Sequence, residues 1–312
     1  MSIEIKAQYP NEADKKGTFV RQQSAFRNWV TADGSSGFKA EPGRYHLYVS
    51  LACPWAHRTI IFRTLKKLEE TVSMSVVDPI RDEKGWAFRE GTNHTRDPIN
   101  DFSYLGEAYL ASDPVFKGRY SVPVLWDREK RTIVNNESSE IIRMLNSAFG
   151  KFGDTSIDFY PKPLREQIDS INRVVYDNVN NGVYRAGFAC TQEAYDEAFR
   201  ALFETLDELE LTLSRQRYLV GDVVTEADWR LFTTLVRFDT VYVTHFKCNL
   251  RRLSDYPNLW GFTRELYQQP GISETVNMGH IKRHYFMTHH AINPCGIVPL
   301  GPEIDFTEPH RR

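Results

Sequence analysis

Ser50-Leu51-Ala52-Cys53-Pro54-Trp55-Ala56-His57-Arg58 is the stretch that decides the fold. It follows a strand-like run, Tyr45-His46-Leu47-Tyr48-Val49. It leads into a helix-like run from Thr59 to Glu70, with Ile60, Ile61, Phe62, Leu65 and Leu68 on a broad apolar face. A cysteine before a proline at a strand-to-helix junction stands at the helix N-cap, since proline suits the first helical position, where a missing N–H costs nothing. The N–H groups of that first turn point at the cap side chain and favour its anion. Cys53 is therefore the candidate nucleophile. The competing reading is a buried cysteine that packs as a small hydrophobe.

The fourth position of this motif separates two chemistries. A dithiol oxidoreductase carries C-x-x-C, so that its second thiol resolves a mixed disulfide. Here that position is Ala56, and Cys190, Cys248 and Cys295 lie far off in sequence. A monothiol site needs an external thiol to complete its cycle, and glutathione is the natural candidate.

Working outward, residues 44–155 alternate strand and helix: Tyr45–Ser50, the helix after Cys53, Val72–Val77, then a hairpin of Ser121–Trp126 with Thr132–Asn135, then a helix opening at Glu137-Ser138-Ser139-Glu140. The segment from Asp78 to Arg119 is too long for an ordinary connection and reads as functional. A proline inside Val122-Pro123-Val124 is odd for a strand. It fits a cis bond that bends the strand toward Cys53 and offers backbone to an extended peptide ligand. Read alone, it would be an edge-strand proline.

Residues 1–43 read as a polar extension, with loop signals at Asp33-Gly34-Ser35-Ser36-Gly37 and Glu41-Pro42-Gly43. Within it, Phe26-Arg27-Asn28-Trp29-Val30 packs back onto the body. Residues 156–312 carry helical spacing over Leu164–Asn178, Gln192–Arg215, Thr225–Thr240 and Asn258–Gln268. Thr225 and Asp228 have capping-box spacing, with Val224 and Trp229 placed as a hydrophobic staple. The fold class expected is α/β plus all-α: a thioredoxin-like domain followed by a helical bundle.

Composition bounds the function. The 312 residues suffice for two domains, and 41% hydrophobic with 26% charged residues is an ordinary globular balance. A net charge of −2 gives no electrostatic case for nucleic acid or an anionic membrane. Four dispersed cysteines make no disulfide framework and favour a reducing compartment. Met1-Ser2-Ile3-Glu4-Ile5-Lys6 shows no leader pattern, and no run of about 18 apolar residues marks a membrane span. A cytoplasmic location is expected. The nine histidines and four cysteines show no metal spacing, and no nucleotide-binding motif is present.

Cys53-Pro54, Val122-Pro123, Glu137-Ser138 and Leu219-Val220-Gly221-Asp222…Thr225-x-Ala227-Asp228 together resemble a cytosolic glutathione transferase. More narrowly the chain resembles the xi class, the glutathionyl-hydroquinone reductases. That likeness rests on Cys53 to Arg58, Gly85-Trp86-Ala87-Phe88, Arg119 to Asp127, Asn181 to Ala189, Arg237 to Tyr242, His245 to Asn249 and Ile281-Lys282-x-His284-Tyr285. The resemblance implies that glutathione lies on the thioredoxin-like domain with its sulfur at Cys53, and that Trp86, Arg119, Tyr120, Ser121 and Val122 contact it. Val122 would pair its backbone with the cysteinyl part. Glu137 would receive the γ-glutamyl ammonium, and Ser138 with the helix N–H groups its carboxylate.

Tyr184, Tyr242 and Tyr285, which alone would read as packing residues, are implied to face the cysteine, with Tyr184 the preferred acid and Tyr242 and Tyr285 stabilising the Cys53 thiolate. His57 reads as a packing or supporting residue. The implied reaction reduces glutathionyl-hydroquinones through a Cys53–glutathione mixed disulfide, with glutathione as co-substrate, no metal, no nucleotide, and a homodimer as the assembly. The alternatives are an omega-like thiol transferase or dehydroascorbate reductase, and a non-catalytic ligand-binding protein of the same fold.

Overall fold

Runs of β-branched and aromatic residues form the sheet. In the computed structural model, which describes residues 12–312, β1 (Tyr45–Val49) is buried along its whole length. A strand buried on both faces reads as continuous rather than alternating hydrophobicity. β2 (Val72–Val76) pairs parallel to β1, β3 (Val124–Asp127) antiparallel to β1, and β4 (Thr132–Asn135) antiparallel to β3, giving the order β2-β1-β3-β4. The crossover between β1 and β2 is α1 (Pro54–Leu65). Two helices complete this part of the chain before residue 157: α2 (Leu105–Ser112) and α3 (Ser138–Ser147), the latter packed on α1.

The expected one-sided helix after Cys53 is corrected in two respects. It starts at Pro54, as the Cys53-Pro54 junction implies, but ends at Leu65 rather than Glu70, and its buried residues run unbroken from Ala56 to Phe62, His57, Arg58 and Thr59 among them. A helix closed in on the sheet side and by α3 has little face left for water. The Asp78–Arg119 segment is also not one long connection, since it holds α2. The Val122–Pro123 bond is cis, as expected, and β3 begins just beyond it.

Beyond residue 157 the chain is helical: α4 (Arg165–Val174), α5 (Gly182–Gly187), α6 (Gln192–Leu213), α7 (Glu226–Arg237), α8 (Pro257–Tyr267) and α9 (Met278–Thr288). The expected helices ending near Asn178 and Thr240 run on as π-helical turns, Val175–Asn180 and Phe238–Tyr242. The capping box before α7 forms: Thr225 Oγ1 accepts from the Ala227 N–H at 3.3 Å, and Asp228 accepts from the Thr225 N–H at 2.7 Å.

The described chain forms two compact units. The first gathers residues 22–157 and 277–288, and the second residues 12–21, 158–276 and 289–312. Helix α9 thus belongs with the sheet. His284 Nδ1 meets the Pro79 carbonyl at 2.8 Å, and His280 Nε2 meets the Thr92 carbonyl at 2.7 Å. The start of the extension, residues 1–11, and with it the reading of Met1 to Lys6, lies outside the described residues. Among the described residues no helix is long and apolar enough to cross a membrane.

Candidate active site

Cys53 is the N-cap of α1, with extended backbone (φ −77°, ψ 122°) and Pro54 after it. Its side chain makes no capping hydrogen bond, so the thiol does not occupy the first-turn N–H groups it sits beside. The half-buried Sγ is 3.6 Å from the Val122 carbonyl, which brings together two motifs 69 residues apart in sequence. All four cysteines are free, and Cys190, Cys248 and Cys295 belong to the second unit. Burial pushes the Cys248 thiol well above the usual range, which makes it inert.

The start of α3 forms the second polar locus. Glu137 is its N-cap. Oε1 accepts from the Ser139 N–H at 3.1 Å and from the Ser139 hydroxyl at 2.8 Å, and Oε2 accepts from the Ser24 hydroxyl at 3.0 Å. Burial pushes this carboxyl up, but those hydrogen bonds and the Arg58 charge outweigh it and hold the group below the usual carboxylate range. It is an anion at neutral pH, suited to an ammonium. Ser138 follows in the first turn, buried, with Arg58 Nη1 3.5 Å from its hydroxyl. Arg58 itself is buried and stacks over Trp55 at 4.6 Å.

The remaining expected contact residues lie in the same unit. Trp86 is buried and stacks on His284 of α9, with ring centroids 4.8 Å apart and the Arg81 guanidinium 5.4 Å from its ring. The Arg119 N–H donates to Gln22 Oε1 at 3.2 Å. Tyr120 packs against Tyr109 and Phe116. The Ser121 carbonyl accepts from the Tyr109 hydroxyl at 2.8 Å, leading into the buried Val122.

The three tyrosines divide between the units. Tyr285, on α9, is in the first and is buried. Tyr184 on α5 and Tyr242 in the π-helical turn after α7 are in the second, with ring centroids 6.2 Å apart and Phe246 packed against both. Tyr242 is fully buried, whereas Tyr184 is only half-buried, its ring beneath the Arg21 guanidinium at 4.8 Å. Among the described residues no group of three or more histidine, cysteine or acidic side chains could hold a metal ion.

Chemically, the first unit offers a thiol at one helix start and an ionised carboxylate beside a buried serine at another. Such a set suits a short zwitterionic peptide bearing sulfur. Sequence reading missed Ser24 and Gln22 as supports of this set. Their partners are remote in sequence, so no local pattern signals them. Arg58 stood in the quoted motif, but its burial against Trp55 and Ser138 was not legible there.

Comparison with known proteins agrees with this chemistry. The family model of the glutathione S-transferase N-terminal domain matches residues 52–148, and that of the glutathione S-transferase C-terminal domain residues 192–265. The chain is 56% identical over 303 residues to the glutathionyl-hydroquinone reductase YqjG of Escherichia coli (strain K12), spanning 95% of this chain and 92% of that protein. The glutathione-bound structure of YqjG matches with a TM-score of 0.91 at 57% identity, over 92% of this chain and 96% of that one. The glutathionyl-hydroquinone reductase PcpF of Sphingobium chlorophenolicum is 53% identical over 286 residues, 92% of this chain and 90% of that protein. The crystal structure of the xi glutathione-S-transferase from Phanerochaete chrysosporium matches with a TM-score of 0.93 at 50% identity, over 98% of this chain and 99% of that one.

Proposed function

The chain belongs to the glutathione transferase family, in its xi class of glutathionyl-hydroquinone reductases, and on that premise we propose how its residues carry the reaction. The enzyme uses glutathione to reduce glutathionyl-hydroquinones to hydroquinones. Cys53 attacks the sulfur that joins glutathione to the aromatic ring. Expelling an aryl carbanion would be prohibitively costly. Tyr184 therefore protonates the ring carbon as a quinol hydroxyl loses its proton, which gives a keto tautomer. Attack on sulfur then breaks the carbon–sulfur bond and releases an enolate that collapses to hydroquinone. Cys53 and glutathione are left joined as a mixed disulfide. The thiolate of a second glutathione attacks the glutathione sulfur of that bond, so that oxidised glutathione leaves and the Cys53 thiolate returns. The ring carbon is reduced and two glutathione sulfurs end oxidised, so the electrons balance.

Tyr242 and Tyr285 support the Cys53 thiolate. Glu137 receives the γ-glutamyl ammonium, Ser138 and the α3 N–H groups the adjacent carboxylate, Val122 the cysteinyl backbone, and Trp86, Arg119, Tyr120 and Ser121 the rest of the tripeptide. Residues 44–155 hold the main part of the glutathione-binding domain, and the helical residues 156–312 supply Tyr184, Tyr242 and Tyr285. We take the working form to be a cytoplasmic homodimer.

The observation that carries this reading is a half-buried thiol that heads a proline-initiated helix, with the other three cysteines outside its unit. Rapid quenching of a single turnover with a glutathionyl-hydroquinone and no free glutathione, followed by mass spectrometry, should find one glutathione on the peptide that contains Cys53. Hydroquinone released with no adduct at Cys53 would overturn the mechanism.

A further inference from the structure

The extension reaches the candidate glutathione site. Its residues 26–28 run antiparallel along the otherwise open edge of β4. The Asn28 N–H donates to the Val134 carbonyl at 3.0 Å, and the Asn136 N–H to the Phe26 carbonyl at 3.1 Å. Side chains lock this register. Asn136 Oδ1 accepts from the Phe26 N–H at 3.0 Å, the Asn135 amide donates to the Asn28 carbonyl at 3.0 Å, and Arg27 Nε donates to Glu140 at 2.7 Å. An unpaired strand edge is a liability, and covering it is one reason for such a segment.

The same register does something more specific. It sets Ser24 beside the start of α3, with its hydroxyl 3.0 Å from Glu137 Oε2 and 3.2 Å from the Asn136 carbonyl. Oε1 already takes two hydrogen bonds from Ser139, so Oε2 is the carboxylate oxygen with more capacity left for a ligand. Ser24 reaches that oxygen across 113 residues of sequence.

We propose that Ser24 is a positioning residue for glutathione: its hydroxyl fixes the Glu137 carboxylate so that Oε2 meets the γ-glutamyl ammonium, and the extension thereby completes the γ-glutamyl subsite. This rests on the reading of Glu137 given above. It predicts a defect confined to peptides that carry the ammonium, since a merely structural role in covering β4 would not distinguish one peptide from another.

The experiment compares the full-length enzyme with Ser24→Ala, Ser24→Thr and Glu137→Gln, using a glutathionyl-hydroquinone and its N-acetylglutathionyl counterpart as the substrate, since the substrate's own glutathione occupies the Glu137 subsite. Ser24→Ala should raise the KM for the glutathionyl-hydroquinone about tenfold, the low end for one hydrogen bond to a charged group, and leave kcat within about twofold. The KM for the N-acetylglutathionyl substrate, which lacks the ammonium, should not move. Ser24→Thr keeps the hydroxyl and should restore the KM. An unchanged KM for the glutathionyl-hydroquinone in Ser24→Ala, alongside a raised one in Glu137→Gln, would overturn the role of Ser24 and leave that of Glu137 standing. An unchanged KM in Glu137→Gln would overturn both. Equal KM increases for the two substrates in Ser24→Ala, with a lowered melting temperature, would reduce Ser24 to edge packing and overturn the proposal.

Discussion

The start of α1 and the start of α7 face the same physical problem and answer it in opposite ways. Every helix begins with backbone N–H groups that lack partners within the helix. At α7 the answer is complete. Thr225 and Asp228 cap each other's backbone, and the second oxygen of Asp228 takes the Leu219 N–H at 2.8 Å, all of it buried. At α1 the cap is Cys53, which makes no capping hydrogen bond and lies half-buried. The difference teaches that a poorly capped helix start inside a well-packed unit is a place to look for chemistry. There the first-turn dipole is left to act on a substrate or an attacking sulfur instead of a structural oxygen. The α3 start is intermediate, since Glu137 caps the helix with one oxygen and keeps the other for Ser24.

The sharpest break of this comparison is Cys53→Ser, which turns the α1 start into an ordinary cap. Turnover should fall by about a thousandfold or more, because a serine forms no mixed disulfide. Stability should rise by about 0.5–1 kcal/mol, as serine caps where cysteine does not. Steady-state kinetics and thermal unfolding on one preparation check both signs, and a destabilised variant would break the contrast. Next in size, Asp228→Ala strands two backbone N–H groups and a hydroxyl in the interior of the second unit. It should lower stability by about 2–4 kcal/mol, read as a shift in the urea midpoint, while the folded fraction keeps its kcat. A loss of kcat in the folded enzyme would mean that the α7 start also serves the chemistry.

The smallest effect concerns Glu137. A carboxyl with a depressed pKa keeps its charge as pH falls from neutrality and loses it only on passing below the usual carboxylate range. Calorimetric titration with glutathione should therefore show similar affinity at pH 7 and pH 5. Glu137→Gln should bind about tenfold more weakly at both. An affinity that already drops between those pH values would indicate a Glu137 carboxyl raised, rather than lowered, by its surroundings.

What was legible in the sequence was local. The Cys53-Pro54 junction, the cis Val122–Pro123 bond and the Thr225–Asp228 box are short patterns whose meaning comes from adjacent backbone. Elements without such markers were missed. Helix α2 is capped by Tyr104, an unusual cap residue whose role is completed by Glu107, so no Ser, Thr, Asp or Asn announced it. Helix α9 was hidden because its polar residues, His280 and His284, are buried through long-range hydrogen bonds rather than exposed. The π-helical continuations at Val175–Asn180 and Phe238–Tyr242 keep near-helical spacing, so their change of winding left no trace in periodicity. Within the candidate site, the residues in short motifs were found. Ser24 and Gln22 were not, because what makes them matter are partners about a hundred residues downstream, Glu137 and Arg119.

The return of residues 277–288 to the sheet unit bears on how this chain can be divided. A fragment cut after Ile157 would end at an apparent boundary and still lack α9. Trp86 would lose the imidazole against which it lies, and Pro79 and Thr92 would lose their carbonyl partners. The two halves are therefore not cassettes that recombination could trade at a single joint. Any exchange of the later half between relatives would carry a piece of the earlier half with it, so the two must be inherited as a pair.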